Sequence, residues 1–83
     1  MNYAVRVDVT LRTGIADPAG STIERSLPTL GFDGVHRVRA GKLFLFEVDA
    51  SSPDEALLTA QKLADRLLSN PVIEDARCSL AED

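Results

Sequence analysis

The chain has few of the residues that hold small domains together by covalent bonds or metals. Its 83 residues include one cysteine, one histidine and no tryptophan. A lone Cys78 cannot form an internal disulfide, and Cys78 with His36 falls short of the four ligands of a structural zinc site. A chain of this length buries only about 60 to 65% of the surface its unfolded form exposes, so small cores often need a supplement. Oligomerisation is the supplement that remains.

Long apolar runs and an excess of basic residues are also missing. No apolar stretch approaches the roughly 20 residues of a membrane-spanning helix, and no basic and then apolar leader precedes the first alternating segment. With the low cysteine use, these absences predict a cytoplasmic protein that does not bind membranes. The 9 Lys and Arg are outnumbered by 13 Asp and Glu, giving a formal net charge of −4. That balance argues against a nucleic-acid binder, whose surface would be basic.

What the chain does have is a clear alternation of apolar and polar residues, which predicts four β-strands. The first predicted strand alternates strictly, whereas both faces of the third begin with apolar residues. The second is irregular, because Val35 and Val38 are out of phase, which suggests a bulge or an edge. The predicted strands cover residues 3–11, 35–39, 42–49 and 72–80.

Capping residues and apolar stripes predict two helices. The first begins at Pro18 after the capping residue Asp17 and ends at Gly31. Pro28 lies inside it and should shorten or bend the last turn. The second begins at a capping box and ends before a proline. Its start and stop are Ser52-Pro53-Asp54-Glu55 and Asn70-Pro71.

The order β-α-β-β-α-β predicts an α+β fold of the ferredoxin-like kind, formed by one domain over residues 1–83. In that two-layer sandwich a four-stranded antiparallel sheet carries both helices on one face. Leu43 and Leu45 would then lie on the open face of the sheet. Two exposed leucines there favour contact with a second subunit that shields them from water. We therefore expect a homodimer or tetramer that associates through the sheet.

Groups able to perform chemistry are scarce. Cys78 lies on the apolar side of the last strand, which favours a buried, inert thiol over a nucleophile. His36 has no nearby serine or cysteine partner and is interpreted as a surface histidine. The glycines match no phosphate-binding loop. The sequence therefore predicts no catalytic residue, no metal site and no cofactor bound by this chain.

The one positive constellation is a group of three cations around Gly41, namely Arg37, Arg39 and Lys42. Lysine and arginine on an exposed strand often protect a sheet edge from aggregation. The same cations could instead contact an acidic partner. Both interpretations remain open from the residues alone.

Four stretches, in order and spacing, resemble the PurS family across nearly the whole chain. They open and close the first helix, form the predicted hairpin and enter the last strand. Each is a weak signal alone, and their combination identifies the resemblance. The stretches are Asp17-Pro18-Ala19-Gly20, Leu30-Gly31-Phe32, Val38-Arg39-Ala40-Gly41-Lys42 and Asn70-Pro71-Val72-Ile73-Glu74-Asp75.

The resemblance implies a non-catalytic small subunit of phosphoribosylformylglycinamidine (FGAM) synthase, an ATP-dependent ligase of purine biosynthesis. A dimer of such a subunit would bridge a glutaminase subunit and a synthetase subunit, which uses ATP and Mg²⁺, and help to keep ammonia from solvent. The resemblance also implies a partner interface on the matched stretches. Its expected residues are Arg39, Gly41, Lys42, Asn70, Glu74 and Asp75, together with Arg37 directly before the hairpin stretch.

Two alternatives use the same order of elements. A small-molecule sensor of the ACT kind would dimerise and bind an amino acid between its subunits. An acylphosphatase-like hydrolase would need an anion-binding loop with a positioned arginine and asparagine, and the sequence contains no such loop. Saturable binding of an amino acid by the isolated protein would distinguish the sensor from an assembly subunit.

Overall fold

The computed structural model of the protein describes residues 1–81. It confirms the α+β class, with three strands in one antiparallel sheet and two α-helices. The sheet order is β2-β1-β3, so that β1 is central. A short 3₁₀ turn follows the first helix and a π turn extends the second. The strands are β1 (Asn2–Leu11), β2 (Gly41–Asp49) and β3 (Glu74–Leu80), the helices are α1 (Pro18–Ser26) and α2 (Pro53–Leu63), and the turns are Pro28–Leu30 and Ala64–Leu68.

The predicted strand at residues 35–39 is not formed, so the prediction of four strands within one chain is wrong for the described residues. The backbone of this stretch bonds to side chains instead of to a strand. The N–H of Val38 donates to Glu24 Oε1 at 2.9 Å, and the N–H of Ala40 donates to Asp17 Oδ2 at 2.9 Å. Arg37 has a φ of 57°, a left-handed conformation that interrupts an extended strand.

The core lies between the sheet and α2. Val5, Val7 and Val9 of β1 are fully buried, and they pack with three small residues of α2 and its extension. Small side chains there let the helix approach the sheet closely. Larger residues surround this centre and stay partly exposed. The alanines are Ala56, Ala60 and Ala64, and the surrounding residues are Tyr3, Phe44, Phe46, Val48, Leu68, Ala76 and Cys78.

The predicted faces of the strands are confirmed by the register. Val5 lies opposite Phe46 and Leu80, which places all three on the side of α2. Leu43 and Leu45 lie opposite Asp8 and Arg6 on the other side. Both leucines are therefore exposed on the open face, as predicted.

The prediction of two helices on one face of the sheet is wrong for the single chain. Only α2 packs against the three strands, whereas α1 packs mainly on the 3₁₀ turn that follows it. We call residues 12–40 the arm, because they leave the sheet after β1 and return to it at β2. The molecule measures 51 × 30 × 14 Å and has a radius of gyration of 16.1 Å. A compact chain of this length would have a radius of about 12 Å.

The helix boundaries follow the predicted signals. The Asp17 side chain caps α1, and α1 gives way to the 3₁₀ turn at Pro28, as its missing N–H requires. Gly31 then has a φ of 90°, the left-handed conformation that ends the turn. At α2, Ser52 Oγ accepts from the N–H of Glu55 at 3.1 Å. The carboxylate of Glu55 bonds to Ser51 and not to the residue that caps the helix.

Replacing Gly20 by alanine will destabilise the chain, although alanine normally favours a helix by about 1 kcal/mol. The added Cβ would collide with the carbonyl oxygen of Val38 and lie 2.7 Å from Asp17 Oδ2. We expect the free energy of unfolding to fall by about 1–3 kcal/mol. Urea denaturation at a fixed protein concentration will measure it. The matched control is Gly34→Ala, whose Cβ would meet no atom within 4 Å. Equal midpoints for the two variants would contradict the close approach.

Candidate functional site: a charged cluster at one end of the sheet

The register brings most of the predicted partner residues to one end of the sheet. There, β1 ends while β2 and β3 begin. Thr10 lies opposite Gly41 on one side and Asp75 on the other, and Leu11 lies opposite Glu74. Gly41 and Asp75, which lie far apart in sequence, thus flank the same residue of the central strand. We call this region, with the base of the arm, the sheet-end cluster; its charged residues are Arg12, Asp17, Arg39, Lys42, Glu74 and Asp75.

Lys42 and Glu74 form an ion pair across β1. Lys42 Nζ lies 3.5 Å from Glu74 Oε2, and the Glu74 side chain is only 11% exposed. The other carboxylate oxygen, Oε1, accepts a hydrogen bond of 2.7 Å from the N–H of Asn70. A second hydrogen bond runs the other way, because the carbonyl of Asn70 accepts from the N–H of Glu74 at 2.8 Å. Lys42, Asn70 and Glu74 therefore form one connected unit, which the sequence had grouped by resemblance alone.

Arg12 is a member of the cluster that sequence reasoning missed. Its guanidinium donates to the carbonyl of Pro71 at 2.6 Å and lies 3.6 Å from Asp75 Oδ1. Its backbone N–H donates to the carbonyl of Ile73 at 2.8 Å. Arg12 thus holds the turn that precedes β3. The available signal was a charged residue directly after a strict alternating strand, where the chain must leave the sheet.

Asp17 and Arg39 join the arm to the cluster. Arg39 donates to the carbonyl of Leu11 at 2.7 Å, and its Nε lies 3.7 Å from Asp17 Oδ2. The two oxygens of Asp17 accept from the N–H groups of Gly20 and Ala40, at 3.0 and 2.9 Å. These backbone hydrogen bonds, first from Gly20 and then from Ala40, lower the pKa of Asp17. Sequence reasoning found its role as a helix cap and missed its bond to the returning chain.

Arg37 is the predicted site residue that the cluster does not include. It lies on an exposed stretch of the arm, and within residues 1–81 its side chain forms no hydrogen bond or ion pair. Of the three cations predicted as a group, two are thus engaged by their own chain. Only Arg37 keeps its charge available to another molecule.

The arrangement is suited to holding structure and not to acid–base or nucleophilic chemistry. The three cations of the cluster are matched by three carboxylates, so no strong field of one sign remains for an anion. Burial, followed by the nearby charge of Asp65, raises the pKa of the Cys78 thiol, which disfavours the thiolate. No three His, Cys, Asp or Glu side chains of residues 1–81 converge as metal ligands. No helix in that part of the chain is long and apolar enough to span a bilayer.

A second surface is the open face of the sheet. Leu43 and Leu45 lie there beside the ion pair of Arg6 and Asp8, in which Arg6 Nε is 3.0 Å from Asp8 Oδ2. A shallow groove of about 620 Å³ runs past Leu45, Glu47 and Arg6. Apolar side chains bordered by mixed charges are typical of a protein contact surface.

Comparison with known proteins identifies the family of this chain. The family model described as PurS, phosphoribosylformylglycinamidine (FGAM) synthase, matches residues 4–82. The PurS subunit of Synechocystis is 43% identical over 76 residues, covering 89% of this chain and 74% of the relative. A crystal structure of the PurS subunit from Thermotoga maritima superposes with a TM-score of 0.89 at 32% identity, covering 98% of this chain and 93% of that one.

The chain belongs to the PurS family. Its relatives are PurS subunits of FGAM synthase, so the chain is placed in purine biosynthesis. The family assignment takes the place of the alternative interpretation as an ACT-like sensor. It also confirms the resemblance drawn from the four sequence stretches. A structure of PurLQS from T. maritima also matches this PurS chain, with a TM-score of 0.89, 32% identity and coverage of 98% and 99%.

The structural role of Asp17 can be tested by its response to pH. Asparagine keeps one acceptor oxygen, so Asp17→Asn should retain the bond from Gly20 and lose the bond from Ala40. A carboxyl whose pKa is lowered by folding adds stability above its unfolded pKa and loses it as the pH falls through the folded value. We expect the variant to be less stable at pH 7. The difference should be constant above about pH 5 and shrink on further acidification.

Urea denaturation at several pH values and one protein concentration will measure this difference. Asp33→Asn is the control, because Asp33 is exposed on the arm and its carboxylate forms no hydrogen bond within residues 1–81. A difference between wild type and Asp17→Asn that does not change with pH would show that the carboxylate charge does not hold the arm.

Proposed function

We propose that this PurS chain is a non-catalytic subunit that holds the glutaminase and synthetase subunits of FGAM synthase together. In that assembly, ammonia released from glutamine reaches the synthetase, which converts formylglycinamide ribonucleotide to its amidine with ATP. The observation that carries the proposal is the match over 98% of this chain to the PurLQS structure. A backbone that superposes over nearly all of this chain supports a shared role as a subunit.

The chemistry of the described residues supports a structural role. The charged groups of the sheet-end cluster are bonded to one another and to backbone, which leaves no free nucleophile with an adjacent base. ATP and Mg²⁺ are assigned to the synthetase subunit, and this chain is proposed to bind neither. The net charge of −4 does not favour nucleic acid as a partner. Purine biosynthesis on soluble intermediates is consistent with a cytoplasmic location.

The open face of the sheet supports oligomerisation. Leu43 and Leu45 are 49% and 66% exposed, and a second copy that covers them would remove apolar surface from water. We propose that this face contributes to a homodimer or tetramer. The sheet-end cluster and the neighbouring Arg37 are the proposed contact for the other two subunits, with Arg37, Arg39, Gly41 and Lys42 on one side of β1 and Asn70, Glu74 and Asp75 on the other.

The first test is reconstitution. The isolated chain should show no glutaminase, ATPase or amidotransferase turnover. When it is added to the glutaminase and synthetase subunits, glutamine-dependent formation of FGAM should rise and saturate, whereas the rate with free ammonium should change little. This pattern follows because a bridging subunit affects delivery of ammonia and not the ligase step. Turnover by the chain alone would refute the proposal, as would an equal glutamine-dependent rate without it.

The second test is replacement of Arg39 and Lys42 together by alanine. Both side chains are about half exposed, so the circular dichroism spectrum at 25 °C should be retained. If the cluster contacts another subunit, the concentration needed for half-maximal glutamine-dependent activity should rise more than about tenfold. The control replaces Arg25 and Lys62, two exposed cations on the helices. Saturation at the wild-type concentration, unchanged as salt is raised, would show that the cluster serves only this chain.

A further inference from the structure

The last strand, β3, forms one edge of the sheet. It has β1 on one side and pairs with no strand among residues 1–81 on the other. Two hydrogen bonds continue its ladder to β1 at the two ends. The N–H of Arg12 donates to the carbonyl of Ile73 at 2.8 Å. The N–H of Ala81 donates to the carbonyl of Ala4 at 3.0 Å. Since an antiparallel ladder alternates, only every second residue between Ile73 and Ala81 bonds to β1.

The backbone groups that point away from β1 belong to Ala76 and Cys78. They alternate with Asp75, Arg77 and Ser79, which lie opposite β1 residues in the bonded positions of the ladder. Within residues 1–81, the N–H and C=O groups of Ala76 and Cys78 form no hydrogen bond. A row of unpaired backbone donors and acceptors is best satisfied by the backbone of another extended segment.

A groove between this edge and α2 offers space for the side chains of such a segment. The groove has a volume of about 470 Å³ and is bordered by Leu57, Leu58 and Gln61 of α2 and by Cys78 of β3. A second hollow of about 540 Å³ also borders Gln61 and Cys78 and reaches Asp75 on the open side of the sheet. The two hollows therefore adjoin along β3. We call the hollow beside α2 the edge groove.

The edge groove combines apolar side chains with carboxylates, which we call its acidic rim. Leu58 is 63% exposed although it borders the groove. Asp54 lines the groove at the start of α2. Asp65 lies close enough to Cys78 to help raise the pKa of its thiol, after the larger effect of burial. Gln61 Nε2 donates to Asp65 Oδ1 at 2.9 Å. This lining complements a segment that carries one apolar and one basic side chain.

The β3 strand of a second copy fits this edge less well than a segment of another protein. A two-fold antiparallel pairing that sets Ala76 against Cys78 also sets Arg77 directly against Arg77. Like charges opposite each other on neighbouring strands are destabilising. A register shifted toward the start of β3 instead brings the Glu74 carboxylate to the acidic rim. Each copy also carries a net charge of −4, which disfavours close approach of two acidic surfaces.

We propose that the edge of β3 and the edge groove bind an extended segment of the glutaminase or the synthetase subunit. The segment adds a strand to the sheet through Ala76 and Cys78, and it packs an apolar side chain against Leu58. A basic side chain of the same segment lies at the acidic rim. The surface begins at Asp75, a member of the sheet-end cluster, so the two contacts are continuous. This inference rests on the proposed function and assigns a mode of recognition to one of the two partners.

Amide hydrogen exchange tests the added strand, because alternate amides of β3 serve as internal controls. The chain is exchanged alone, with each of the other two subunits and with both, and NMR after dissociation reads each amide. We expect Ala76 and Cys78 to exchange at least about tenfold more slowly with a partner. The amides of Arg77 and Ser79 should be slow in every sample. Equal exchange of Ala76 and Cys78 in all samples would overturn the inference. Protection of both in the isolated chain would assign the edge to a second copy and overturn it too.

A charge placed in the edge groove tests the same contact by activity. Leu58→Lys puts a cation where the segment should pack, and Thr59→Lys puts it on the neighbouring exposed residue outside the groove. The concentration for half-maximal glutamine-dependent FGAM formation should rise more than about tenfold for Leu58→Lys and less than about twofold for Thr59→Lys. Circular dichroism spectra should match wild type for both. Equal values for the two variants would overturn the inference alone, whereas a wild type that supports no glutamine-dependent activity would refute the proposed function.

Discussion

The shape of the molecule depends on the carboxylate of Asp17. One of its oxygens caps α1 through Gly20, and the other binds Ala40 as the chain returns to β2. Because α1 has little apolar contact with its own sheet, these two hydrogen bonds of Asp17 decide where the arm begins and ends. Glutamate or asparagine could not replace it, since the first is too long for the cap and the second has only one acceptor oxygen.

The sheet-end cluster extends this constraint to the rest of the sheet. Arg39 connects the arm to β1, Lys42 connects β2 to β3 through Glu74, and Arg12 holds the turn before β3. Exposed ion pairs contribute little to stability one by one, typically up to about 1 kcal/mol. Their effect here is geometric, because they fix the angle at which three chain segments leave one end of the sheet. The same end contains the stretches at residues 17–20, 38–42 and 70–75 by which the chain resembles its family.

Local structure could be predicted well from the sequence, and long-range placement could not. The alternation from Tyr3 to Leu11 and the caps at Asp17 and Ser52 depend on neighbouring residues, so they predicted the first strand and both helix starts correctly. The position of α1 depends on which surface buries Ile23 and Leu30, and a single sequence does not say whose surface that is. Residues 35–39 failed as a strand for the same reason, because β-pairing requires a partner edge. At the site, Arg12 was missed because its role is defined by Pro71 and Asp75, about 60 residues away.

The thinness of the molecule has a consequence for how its sequence can vary. Over a depth of 14 Å there is room for a sheet and one helix, and within residues 1–81 the fully buried side chains are limited to three valines and a few alanines. A substitution elsewhere therefore changes a surface and not an interior. For a chain whose surfaces are completed by other chains, the midpoint of thermal unfolding will rise with protein concentration. Selection on this sequence then acts on the stability of the assembled form and not on the buried core of the separate chain alone.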